Sequence, residues 1–320
     1  ATAFSLRLRL HYKAARVGGV KFLIQISSKF HEGKTMSHGV TPPHPEKFLE
    51  VRYEQYEAEP WLVSMCAGYE LGKWRDEQLA EHVMEWLPEF ALKYSEWESL
   101  GPGNAVKLIK KAAKAIYKTE KYGSRGEFGE LLLHIVIRHV FKTFPAISKI
   151  HYKDSRNDTV KGFDCVHTIV KEDKLELWLG EVKFYKDIGS AIRDVIKELD
   201  DHTKRDYLRD EFSAITNKID KNWPSSDKLS KLLDNNTSLD EIFDSVTIPV
   251  LLSYDSDTVN SHDRVTDDFK QDFAKEVNEH WNTFRSKSLP KSVNIVLILL
   301  PLKSKKDLQD KLHAELQKWK

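Results

Sequence analysis

A charged pair lodged in the most strand-like stretch of the chain constrains the fold more than any other feature. From Leu175 to Tyr185 the sequence has the aromatic and aliphatic content of a strand, yet it contains Glu181 and Lys183. Strand side chains alternate faces, so Glu181 and Lys183 point the same way as Leu175, Leu177 and Leu179, while Trp178, Val182 and Phe184 point the other way. Apolar residues on both faces predict a strand covered on both sides. A carboxylate and an ammonium in such a place each cost several kcal/mol to desolvate unless something compensates. One compensation is an ion pair between Glu181 and Lys183 or a neighbour. The other is a divalent cation held by paired carboxylates. A second acid is at hand, because Val160 to Val170 also reads as a strand and carries Asp164 just after Gly162-Phe163. The two strands are joined by the solvated turn Lys171-Glu172-Asp173-Lys174.

Glu-x-Lys by itself carries little information in a chain with 31% charged residues. Glu172-Asp173-Lys174 lies in the turn, and Asp268-Phe269-Lys270 lies on a polar helical segment, where charges need no explanation. Only the Glu181 copy sits in an apolar strand with an aspartate one strand earlier. A hairpin of this kind resembles the core of the PD-(D/E)xK nucleases, with Val182 as the variable residue and Phe163 where the name has proline.

At 320 residues the chain can form one large or two modest domains. A net charge of +1 neither demands nor excludes a nucleic-acid partner. Cys66 and Cys165 give no disulfide framework and no zinc spacing, which predicts a reducing, cytoplasmic setting. No apolar run reaches transmembrane length; the longest, Val293 to Leu302, is strand-sized and interrupted by Asn294, so no membrane association is expected. Residues 1–45 read as a basic arm, either strand-forming or loosely ordered, with alternation from Phe4 to Leu10. Residues 46–103 read as a mostly helical region suited to docking a partner, its Trp61, Trp74, Trp86 and Trp97 serving as packing residues. Residues 104–320 read as the nuclease domain.

Within that domain a helix from Ala105 to Thr119 places Lys107, Lys110, Lys111, Lys114 and Lys118 along one stripe, followed by Lys121 and Arg125. Such a stripe is either a phosphate-contacting surface or simply a solvated face, and its position next to the site favours DNA. The next helix, from about Arg125 to Phe144-Pro145, is apolar nearly all round except for Glu127, Glu130, His134 and Arg138, which share one side. A strand from Ile147 to Tyr152 follows, then the hairpin, then a helix capped by Ser190 and ending near His202. Two buried strands, Thr247–Tyr254 and Val293–Leu300, flank the amphipathic helix Asp267–Ser286, a βαβ-like unit that extends the same sheet. A helix over 304–320 closes the chain. His134 and His167 fall near the hairpin, and both read as structural histidines.

The runs Arg125-Gly-Glu-Phe-Gly-Glu-Leu-Leu-Leu-His134, Lys161-Gly-Phe-Asp-Cys165 and Leu177-Trp-Leu-Gly-Glu-Val-Lys-Phe-Tyr185, in this order and spacing, resemble the nuclease-subunit family of the Hachiman anti-phage system, HamA. The resemblance implies an α/β fold with a PD-(D/E)xK restriction-endonuclease-like core, a mixed sheet flanked by helices, behind an N-terminal helical region. It implies Mg²⁺ (or Mn²⁺) held by Asp164, Glu181 and the Val182 carbonyl, with Lys183 orienting water or neutralising the phosphate. In nucleases of this superfamily the helix before the hairpin often adds an acid, which selects Glu130, with Glu127 as the alternative. The expected activity is DNA cleavage with little sequence specificity, under the control of a superfamily-2 helicase subunit (HamB-like) in bacterial defence. Two other readings stay open: a non-catalytic DNA-binding or regulatory subunit on a degenerate nuclease fold, and RNA cleavage by the same chemistry.

Overall fold

The computed structural model describes residues 14–17, 20–23, 44–117, 126–148, 162–171 and 174–320. The chain divides into two units, Ala1–His38 and Gly39–Lys320. In the first, β1 (Ala14–Val17) and β2 (Val20–Leu23) pair antiparallel. The alternating stretch from Phe4 to Leu10 lies outside the described residues.

The second unit is built on a seven-stranded mixed sheet in the order β3-β4-β11-β10-β9-β8-β7. The strands are β3 (Glu50–Gln55), β4 (Trp61–Cys66), β7 (Phe144–Ser148), β8 (Cys165–Lys171), β9 (Lys174–Phe184), β10 (Val246–Asp255) and β11 (Asn294–Leu302). Strands β4, β11, β10 and β9 run parallel, and β3, β8 and β7 are antiparallel to their neighbours. In β10 and β11, Val246–Tyr254 and Ile295–Leu302 are buried without a break, as parallel strands covered on both faces require. Pro249 sits in β10 opposite Val296 of β11. The pairing of β10 to β9 skips Ile248 and Pro249 and resumes at Val250 opposite Glu181, in keeping with proline's missing N–H.

A two-stranded hairpin of β5 (Tyr69–Glu70) and β6 (Lys73–Trp74) precedes the helices α1 (Asp76–Glu85), α2 (Leu87–Ala91), α3 (Tyr94–Trp97), α4 (Ala105–Tyr117) and α5 (Glu127–Phe141). After β9 come α6 (Ile188–His202), α7 (Arg205–Lys218), α8 (Ser226–Leu232) and α9 (Leu239–Phe243). Beyond β10 lie α10 (Asp257–Ser261), α11 (Asp267–Arg285) and, after β11, α12 (Lys305–Lys318). The order α5-β7-β8-β9-α6 is the expected helix–strand–strand–strand–helix, and β10-α11-β11 is the expected βαβ unit within one sheet.

Three sequence expectations need correction. Residues 46–74 are not helical: β3 and β4 extend the main sheet, so this segment shares its core. Short apolar runs such as Trp61-Leu-Val-Ser-Met-Cys66 do not separate strand from helix by periodicity, which is why the pattern misled. Trp74, Trp86 and Trp97 are buried as expected, whereas Trp61, at the start of β4, is 43% exposed. Finally, α6 is capped by Asp187, whose carboxylate accepts from the Ser190 N–H, so Ser190 lies inside the helix.

Helix α5 and helix α6 lie on opposite faces of β9. On the α5 side, a Cβ added at Gly129 would meet Phe184 Cβ at 2.8 Å and Val182 Cγ2 at 3.1 Å. One added at Gly180 would meet Cys165 Sγ at 2.5 Å and Leu133 Cδ2 at 2.7 Å. Both glycines therefore set the close approach of helix to sheet. Gly180→Ala is expected to cost roughly 1–3 kcal/mol by overpacking, read as a lower midpoint in denaturant unfolding. An unchanged midpoint would mean that α5 is not seated on β9 in this way.

Candidate active site at the fork of the sheet

Strands β8 and β9 pair from Lys171 opposite Lys174 to Cys165 opposite Gly180, and there they part. Strand β9 continues for four residues bonded only to β10. Asp164 stands at this fork. Its N–H donates to the Gly180 carbonyl at 2.8 Å, and its carboxylate accepts from the Val182 N–H at 2.8 Å. The side chain thus replaces a missing strand partner for β9. In a strand the N–H and C=O of one residue lie on the same side, so the Val182 carbonyl also faces the gap.

Glu181, Asp164 and Lys183 are all buried, with Glu181 only 1% exposed. Burial pushes the Glu181 carboxyl up to about 7; the charge of Asp164 adds to this, and the bond to His202 opposes it. Burial works against the Lys183 ammonium, but its ion pair with Glu198 and the nearby Glu181 and Asp164 prevail and raise its pKa. The expected grouping of Asp164, Glu181 and Lys183 is therefore present in space.

Three residues of α6 complete the group. Tyr185 donates to Asp194 at 3.2 Å, Lys183 pairs with Glu198, and Glu181 bonds Nδ1 of His202. Glu181 and Lys183 of β9 and Tyr185 just beyond its end thus meet every fourth residue of α6. The match follows from geometry, since four helical residues advance about 6 Å and two strand residues about 6.6 Å. The His202 ring stacks on Tyr207 of α7 with centroids 4.3 Å apart and meets Phe163 edge-on at 5.3 Å. Glu211 of α7 accepts from the Phe163 N–H at 3.3 Å. A Cβ at Gly162, whose φ is +147°, would fall 2.7 Å from the same carboxylate. Asp194, Glu198 and His202 are not singled out by the sequence pattern; the signal they carry is the i, i+4, i+8 spacing beside the apolar Val195 and Leu199.

Glu130 approaches from the other face. It lies in the first turn of α5 and is buried, as is Glu127. Burial raises the Cys165 thiol well above its usual range, and the charges of Asp164, Glu130 and Glu181 raise it further against a lowering bond from the Gly180 backbone. The rest of the α5 polar stripe leads away from the fork. His134 Nδ1 and His167 Nε2 share a hydrogen bond at 3.1 Å, and Thr143 Oγ1 lies 2.8 Å from His167 Nδ1. Arg138 Nε donates to Glu89 at 2.6 Å, and His134 Nε2 lies 3.2 Å from the same carboxylate. Burial pushes Glu89 up, yet Arg138 and His134 outweigh it and hold the carboxyl at about 2. These histidines belong to a buried polar chain.

Among the described residues no group of three or more His, Cys, Asp or Glu side chains is arranged to hold a metal ion. Asp164 and Glu181 form a pair, and their chemistry fits Mg²⁺: hard oxygen donors, one or two carboxylates, with water and substrate supplying the rest. Lys107, Lys110, Lys111 and Lys114 are exposed on α4, with Lys111 paired to Glu96, while Lys118, Lys121 and Arg125 lie outside the described residues. Both cysteines are buried and unbridged. No described helix is long and apolar enough to cross a membrane.

A family model described as HamA matches residues 42–316. Anti-bacteriophage protein A of Escherichia coli (strain K12) is 24% identical over 230 residues, covering 67% of this chain and 41% of its own length. The chain thus spans less than half of that relative.

The shifts at the fork have a measurable consequence. Glu181 binds its proton more tightly in the folded chain than in the unfolded one, as does His202 through its bond to Glu181. The stability that Glu181 gains is full below about pH 4.5 and is lost as pH rises through about 7; that from His202 is lost in the same direction above about pH 6.5. In chelator, Glu181→Gln is expected to melt above the wild type, by a margin that widens between about pH 5 and pH 8. A margin independent of pH would mean that Glu181 is not desolvated beside Asp164.

Proposed function

Because the chain belongs to the HamA family, we propose that it is a metal-dependent DNA nuclease of bacterial anti-phage defence, with a PD-(D/E)xK core and little sequence specificity. The observation that carries this reading is the convergence of Asp164, Glu181 and Lys183 where β8 leaves β9. An acid and an amine in a doubly covered strand, with a second buried acid at the fork beside them, are costly to bury, and a cation against a phosphate makes use of all three. The anti-phage role is supported by the family and by the name of the Escherichia coli relative.

Asp164 and Glu181, with the Val182 carbonyl, would hold Mg²⁺ or Mn²⁺, and Glu130 would add a carboxylate from the opposite face. When bound, the ion supplies an activated water and relief of phosphate charge. Glu181, whose carboxyl burial raises to about 7, would be favoured in its ionised form by a neighbouring cation. Lys183 keeps its proton, because its pKa is raised further, so it acts as a fixed positive charge for the phosphate and not as a base. The exposed lysines of α4 would contact backbone phosphates, which suits sequence-independent binding. A superfamily-2 helicase subunit is the proposed partner, in the cytoplasm, and the length of the relative beyond this chain leaves room for further parts.

The test uses the full chain with supercoiled plasmid, linear DNA and RNA, each in Mg²⁺, Mn²⁺ or chelator, with and without the partner helicase and ATP. Cleavage of DNA that requires the metal is expected, and Glu181→Ala and Lys183→Ala should each lower it by roughly 10²-fold or more while remaining folded. Undiminished cleavage by these variants would remove the site, and cleavage of RNA alone would change the substrate.

A further inference from the structure

The ladder between α6 and β9 has a feature that packing does not require. A helix laid on a strand gains its stability from apolar contacts, which α6 makes through Ala191, Ile192, Val195 and Leu199. Asp194, Glu198 and His202 contribute instead one polar contact to each of Tyr185, Lys183 and Glu181. Two of those three contacts fall on the groups assigned to chemistry. Each partner is matched in kind: the acid meets a ring N–H donor, and the ammonium meets a carboxylate.

His202 is itself held on two sides. Its ring is stacked nearly parallel to Tyr207, 14° from coplanar, and Phe163, the neighbour of Asp164, closes its edge. A carboxylate can rotate about its terminal bond, and fixing one oxygen fixes the direction of the other. The bond from Nδ1 engages Oε1 of Glu181, so the orientation of Oε2 is set by a ring held between Tyr207 and Phe163. Acids that bind metals are commonly oriented by such outer hydrogen bonds, and losing one typically weakens the metal by about 10–100-fold. Glu198 plays the corresponding part for Lys183, whose four-carbon stem would otherwise leave the ammonium free to move.

We infer that His202 and Glu198 are positioning residues of the fork, His202 aiming the Glu181 carboxylate at a divalent cation and Glu198 fixing the Lys183 ammonium beside it. The inference rests on the nuclease reading and adds to it a set of residues that act only through others. It also separates the two partners by function: His202 governs the affinity for the ion, and Glu198 governs turnover.

The experiment titrates the full chain with Mn²⁺ by calorimetry, without DNA, and follows it with plasmid cleavage kinetics and a thermal melt for each variant. His202→Phe keeps the stacked ring and removes the donor. His202→Asn returns an N–H close to the Nδ1 position, whereas His202→Gln carries its amide one methylene too far. Relative to the wild type, His202→Phe and His202→Gln are expected to lose about 10–100-fold in Mn²⁺ affinity, and His202→Asn to recover most of it. Glu198→Ala is expected to leave Mn²⁺ affinity unchanged and lower kcat about tenfold at constant KM for DNA. Wild-type Mn²⁺ affinity in His202→Phe and His202→Gln would overturn the role of His202 while leaving the nuclease reading intact. An unchanged kcat in Glu198→Ala would do the same for Glu198, reducing it to an ordinary ion pair. A wild-type chain that binds no Mn²⁺ would refute the metal site itself and this inference with it.

Discussion

The hydrogen bond from the Val182 N–H to the Asp164 carboxylate is the constraint around which the rest of the site is arranged. Once β8 turns away after Cys165, the β9 amide at Val182 loses its strand partner, and a buried amide cannot be left unmade without a cost of about 1–3 kcal/mol. A carboxylate solves that problem but brings a charge into the sheet next to Glu181. From that point every neighbour is a response to charge: His202 to Glu181, Glu198 to Lys183, Lys183 to both acids. An uncharged residue at 164, such as asparagine, would satisfy the same amide with less electrostatic burden. The presence of an aspartate is therefore not explained by backbone bookkeeping, and a cation is the partner that would make use of it.

The two faces of the sheet handle polarity differently. On the α6 face, polar groups meet in short pairs across one helix and one strand, and the outer partners Glu198 and Asp194 have side chains 38% and 40% exposed. On the α5 face the polar stripe is sealed, running from the acids near Cys165 through His134 and His167 to Glu89 and Arg138. The bonds His134–His167, His167–Thr143 and Arg138–Glu89 tie α5 to β8 and α2, while His134 Nε2 makes only a charge contact to Glu89. Gly129 and Gly180 bring α5 close to the sheet, removing side chains where helix and strand would otherwise be held apart. Rigid backing on one face and a half-open cluster on the other is how a site can be both precise and reachable.

Much of this was legible in the sequence because the relevant signals are violations of pattern. Glu181 and Lys183 stand out in an apolar strand, and Asp164 one strand earlier gives them a counterpart. The parallel pair β10 and β11 was legible from unbroken apolar runs. What failed did so for physical reasons. Across residues 46–74 aromatic-rich stretches of five or six residues fit both the helical and the strand period, and only pairing with β11 decides that Trp61–Cys66 is a strand. Asp194, Glu198 and His202 were overlooked because polar residues on an amphipathic helix ordinarily face water. Their role depends on how α6 lies along β9, and that is a tertiary fact.

The gradient of exposure along the α6 ladder gives the site a direction. Glu181 is fully enclosed, the Lys183 side chain is 10% exposed, and Glu198 is 38% exposed. A small ion entering from the Glu198 side would pass the ammonium before reaching the carboxylates, whereas a phosphodiester is too large to travel so far. On the proposed reading this ordering assigns the inner position to the metal and the outer one to the scissile phosphate, with Lys183 between them. The same ordering gives Glu198 its part: paired with Lys183 at the more exposed end, it holds the ammonium where a phosphate would lie, outside the carboxylates.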